Sequence, residues 1–175
     1  MALQRVMSAA DRDQRFLRIY MTDQLALGVL WRELARRAHK ANAGTPLGEA
    51  LRAVAAAITE DVASFQDLMA RLGFKTRTPK VALAVVAERL GRLKLNGRLV
   101  TRSPLSRFEE LDVLVMGIDG KVVLWENLRG GADLAERLPD VDFDRLIERA
   151  REQRARLEPF HAQAAREALR MPAGP

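Results

Sequence analysis

Two long stretches of helical periodicity are followed by a connection of about thirty residues and then by two more such stretches, and that connection constrains the fold more than any other feature of the chain. A short loop forces successive helices antiparallel. A connection this long lets the third helix lie parallel to the second, which is one way of closing four helices round a common core. The 175 residues, 48% of them apolar, suffice for a single domain over 1–175 that buries its own core.

The first helix is expected over about 9–40, where Phe16, Tyr20, Leu27, Leu30, Trp31, Leu34 and Ala38 recur at threes and fours. Gly44 interrupts it. Thr45-Pro46 is a cap followed by a proline in the first turn, opening a second helix over about 47–72 whose stripe runs Leu47, Leu51, Val54, Ile58, Val62, Phe65, Met69 and Leu72. Gly73 supplies its C-terminal stop. Thr78-Pro79 repeats the signature and predicts a short crossover helix over about 79–90, followed by a loop that includes Asn96-Gly97. Ser103-Pro104 opens the third long helix, over about 104–129, which ends at Gly130-Gly131. Asp140 or Asp142 caps the last, over about 142–171, with a kink or restart expected at Pro159.

Composition excludes several chemistries. The absence of cysteine removes disulfides, thiolate metal sites and thiol nucleophiles. The longest apolar run, Val81-Ala82-Leu83-Ala84-Val85-Val86-Ala87, is far short of the roughly 20 residues a membrane span needs. The N-terminus lacks the apolar centre of a signal peptide, so a cytoplasmic protein without a transmembrane segment is expected. No Walker loop, dinucleotide fingerprint or Ser, His and Asp arrangement is present. Asp140-Val141-Asp142-Phe143-Asp144 begins like a calcium loop, but arginines occupy the positions of its glycine (Arg145) and its bidentate acid (Arg151).

Charge is concentrated in the connection. Between 75 and 107 stand nine basic residues (Lys75, Arg77, Lys80, Arg89, Arg92, Lys94, Arg98, Arg102 and Arg107) and one acid, Glu88, a net of +8 in a chain of +6. Such a field attracts polyanions, and Arg89, Arg92, Lys94, Arg98, Arg102 and Arg107 are the candidate contacts for nucleic acid or an anionic membrane surface. Solvated or ion-paired side chains account for the same pattern, and the segment has no aromatic residue on which a base would stack.

A different set of polar residues projects inward at 100° per residue. Asp23 falls on the stripe of the first helix, Asp61 between Ile58 and Phe65, Asp119 at the edge of the third stripe, and His161 one turn beyond Leu157. Buried carboxylates demand a cation, a proton or a metal. The helical plan resembles the ferritin-like superfamily, in which Glu residues and Glu-x-x-His motifs hold a di-iron or di-manganese centre. Glu158-Pro159-Phe160-His161 matches one such motif; the residues three beyond Glu60 and Asp61 are Ala63 and Ser64, so a second metal-binding histidine is missing. The stretch Gly91-Arg92-Leu93-Lys94-Leu95-Asn96-Gly97-Arg98, followed by Ser103-Pro104-Leu105-Ser106, is also similar to one in a bacterial family that implies no activity.

Three readings follow for an all-α, ferritin-like four-helix bundle with a long crossover between its second and third helices. In the first, a non-catalytic binding or interaction protein, the inward residues form a buried polar network, with Gln24, Gln153 and Arg154 in reach as partners, and no cofactor is needed. A metal-binding oxidoreductase would hold iron or manganese through Asp23, Asp61, Asp119, Glu158 and His161. The third is a polyanion binder acting through 75–107. A homodimer is expected as well, because Leu111, Leu114, Ile118 and Trp125 give the third helix a wider apolar arc than one core seam requires.

Overall fold

The computed structural model describes residues 9–74 and 103–170, and all the regular structure among them is helical. Helix α1 spans Ala9–Ala41 and α2 spans Pro46–Arg71. Thr45 caps α2, its hydroxyl oxygen accepting from the Gly48 amide at 3.0 Å. Gly48 is required there: a Cβ would stand 2.0 Å from the Asn42 carbonyl oxygen, so only a bare Cα lets the end of α1 cross so close to the start of α2. Gly73, at φ 71°, ends α2, with the Phe74 amide folding back to the Met69 carbonyl at 2.9 Å. The expected crossover helix and Arg89, Arg92, Lys94, Arg98 and Arg102 lie outside the described residues.

Ser103 accepts from the Ser106 amide at 3.1 Å and opens α3, Pro104–Glu126. Beyond Glu126 the chain loosens into a π-helical turn, Asn127–Gly131, and then forms one short turn, α4, Leu134–Arg137. The last helix, α5, spans Phe143–Leu169 and is capped by Asp142, which accepts from the Arg145 amide at 2.8 Å. It does not restart at Pro159, which sits on an exposed side where the missing amide costs only one hydrogen bond.

Side-chain pairs fix the helix directions. Along α3 and α5 the pairs Glu126 with Arg151, Asp119 with Arg154, Asp112 with His161 and Arg107 with Glu167 run in opposite order, so these helices are antiparallel. Asp61 with Arg149 and Arg71 with Asp140 set α2 antiparallel to α5 in the same way. Helices α2 and α3 therefore point the same way. Contacts run from α1 to α2, α2 to α5, α5 to α3 and α3 to α1, placing α2 and α3 across a diagonal.

The core is divided in two. One cluster joins Leu34, Leu51, Ile58, Val62, Leu114, Ile118 and Leu157; the other joins Met21, Phe65, Leu124, Trp125, Phe143 and Ile147. Leu111, Leu114, Ile118 and Trp125 are all buried within the single chain, so the wide arc of α3 is used by its own neighbours and the homodimer expectation loses its premise. The exposed apolar residues on α3 are instead Leu105, Met116 and Val123. No described helix is long and apolar enough to cross a membrane.

Candidate functional site

Asp61 separates the two core clusters and is 3% exposed. A carboxylate at that depth is tolerable only with charged and hydrogen-bonding partners, and it has three. Lys121 of α3 donates to Asp61 Oδ2 and to Gln153 Oε1. Gln153 of α5 donates its Nε2 hydrogen to the same Oδ2 at 2.9 Å. Arg149, one turn before Gln153, brings Nη2 within 2.5 Å of Asp61 Oδ1 and lies 3.7 Å from Glu60 on the solvent side. The result is a polar layer spanning α2, α3 and α5, with apolar residues above and below. Burial holds the Lys121 ammonium below lysine's ordinary 10.5; the charge and hydrogen bond of Asp61 oppose that shift, and the Arg149 charge adds to it.

Helix α1 contributes no partner to this layer, and on its side the layer borders a cleft of about 270 Å³. Gln24, Gly28 and Trp31 of α1 form one wall, Ile58, Val62 and Phe65 of α2 another, and Gly117, Leu124 and Trp125 of α3 the third. Asp61 and Lys121 also line it, giving a mostly apolar space one charged pair. Trp31 lies directly on Gly117, where a Cβ would meet its ring at 2.6 Å. Trp125 packs at 5.6 Å from the Phe65 ring and is 1% exposed, yet its indole N–H has no hydrogen-bond partner. A buried donor left in this way is uncommon. Met116, 63% exposed, stands at the cleft mouth.

The other residues singled out in the sequence are dispersed. Asp23 is exposed. Asp119 and Glu158 are exposed too, and meet only through Arg154, which pairs with both. His161 Nε2 lies 2.9 Å from Asp112 Oδ1, and its ring stacks on Phe108 at 5.5 Å. Among the described residues no three His, Asp or Glu side chains gather as metal ligands, and the oxygens of Asp61 already face an ammonium, a guanidinium and an amide. That donor set does not fit a di-metal centre. Arg107, the one candidate polyanion contact inside the described residues, lies 3.7 Å from Glu167.

Gln153 is legible in the sequence as a network partner, whereas Lys121 and Arg149 are not among the inward residues expected there. Lys121 stands seven residues after Leu114, three after Ile118 and four before Trp125, on the buried face of α3, and Arg149 precedes the stripe residue Gln153 by one turn. A cation at stripe spacing opposite an inward carboxylate was the available signal. No family model, curated protein or solved structure matches the chain.

Proposed function

We propose that this chain is a non-catalytic, ferritin-like helical binding protein whose ligand site is the cleft between α1, α2 and α3. The shared direction of α2 and α3, reached across a long connection, supports the ferritin-like part of the reading. One observation carries the binding part: an apolar-walled space of about 270 Å³, enclosed by α1, α2 and α3, adjoins the charged layer. Its size is just under the roughly 300–1,000 Å³ usual for small-molecule sites, and its balance of apolar walls with few polar groups is typical of them. Within the layer the polar side chains pair with one another.

The chain has two tryptophans, and both line the cleft, so their emission reports on its contents. Octanol, a neutral probe with a slender apolar body, is expected to shift that emission and saturate at one molecule per chain. Replacing Gly28 with leucine fills the cleft from the α1 wall and should abolish the response. Lack of saturable binding in the parent would refute the reading.

A further inference from the structure

Resting on that reading, we infer that the cleft selects a small amphiphile with an anionic head, a monocarboxylate on a compact apolar body, and that Lys121 receives the head.

The polar layer is unbalanced. Its charges within the bundle are one buried carboxylate, Asp61, and two partly buried cations, Lys121 and Arg149; the remaining acid, Glu60, is mostly in solvent and reaches only Arg149, at 3.7 Å. Of the two cations it is Lys121 that lines the cleft, whereas Arg149 does not. An ammonium has three donors, and Asp61 and Gln153 take one each. One remains. Trp125, four residues along the same helix and therefore on the same face, also lines the cleft, and its N–H is a buried donor without a partner. These donors suit a carboxylate, which accepts through both oxygens, and the one buried acceptor without a hydrogen bond, Asp61 Oδ1, already faces the Arg149 guanidinium at 2.5 Å.

The walls set the rest of the molecule. Leu25, Ile58, Val62, Phe65 and Leu124 offer no polar group to a ligand's body, and a volume of about 270 Å³ is roughly nine water molecules' share of the liquid, which limits that body to a short chain or a single ring. A dianionic head such as a phosphate does not match one available ammonium. Carboxylate binding also opposes the desolvation that now depresses the Lys121 proton affinity, so ligand and proton favour each other at this residue.

Octanoate and octanol share an apolar chain and differ in the head, so their comparison isolates the charge. At neutral pH octanoate is expected to bind at least about tenfold more tightly than octanol. In Lys121→Met, where Asp61 keeps Arg149 and Gln153, the two should bind within about threefold of each other. The parent supplies an independent check that needs no variant: the octanoate preference should decline as pH rises toward lysine's ordinary 10.5, while octanol binding stays level. Equal affinities in the parent, or a preference that survives both the substitution and the pH change, would overturn the charge assignment and leave the cleft as a binding site. Failure of both probes to bind would overturn the cleft reading as well.

Discussion

Asparagine in place of Asp61 keeps the shape of the side chain and removes its charge, which tests the polar layer directly. In the parent the carboxylate is 3% exposed and serves Lys121, Gln153 and Arg149 together. Without it, an ammonium and a guanidinium share a buried layer with no nearby counter-charge but Glu60. Breaking a buried pair from one side costs about 3–5 kcal/mol. The loss should fall near the lower end, about 3 kcal/mol, because Arg149 retains Glu60 and the Ser64 hydroxyl, and its side chain is one-fifth exposed. A domain of ordinary stability, about 5–15 kcal/mol, stays folded after such a loss and can be measured.

The pH dependence gives the sharper test. Lys121 binds its proton less tightly in the folded protein than in the unfolded chain, so its burial is a penalty fully present below its lowered folded pKa. Between that value and 10.5 the unfolded state holds more protons, and stability rises with pH as the penalty is relieved. Removing Asp61 removes the two influences that oppose the downward shift, so in Asp61→Asn the relief begins at lower pH. The deficit against the parent should therefore shrink between pH ~7 and pH ~9.5, read by urea unfolding of both proteins. A variant within about 0.5 kcal/mol of the parent at neutral pH, or a deficit that does not change with pH, would refute the reasoning.

Gly117→Ala drives a methyl group into the Trp31 ring and should cost about 1–3 kcal/mol in thermal or urea unfolding, with a shift in tryptophan emission as the ring is displaced. Thr45→Ala removes the α2 cap and should cost about 1 kcal/mol; Thr45→Asn should recover most of it. Pro159→Ala restores an amide inside α5 and is expected to raise the melting temperature, corresponding to a gain of up to about 3 kcal/mol.

Local chemistry was legible in the sequence because it needs only neighbours. Thr45 before Pro46 and Ser103 before Pro104 each read as a helix start, and each caps one. Asp61 was legible because a carboxylate inside an apolar stripe violates the helical period, and Gln153 for the same reason. The projections of Asp23 and Asp119 did not decide their burial. Whether a residue at a stripe edge is covered depends on which helix stands beside it, and that is a property of the assembled chain. The long side chains of Lys121 and Arg149 blurred the signal further, since such residues often lay their stems on the core and keep their heads in water. The four apolar residues of the α3 arc suggest a second copy when read in the sequence alone; what cannot be seen there is that α1 and α5, with Phe65 of α2, cover them within the chain.

The polar layer joins parts of the chain that are distant along it, Asp61 lying 60 residues from Lys121 and 92 from Gln153. By contrast, α1 with α2 and α3 with α5 are neighbours along the described chain and pair extensively. Closing the larger loops costs chain entropy that docking of the two helical pairs repays, so the carboxylate is expected to meet its cations late in folding. The layer is thus a checkpoint on the route: a pair of hairpins docked out of register would strand a charge against leucine and phenylalanine and come apart. In kinetic experiments, substitutions at Asp61 should hasten unfolding and leave the refolding rate almost unaltered.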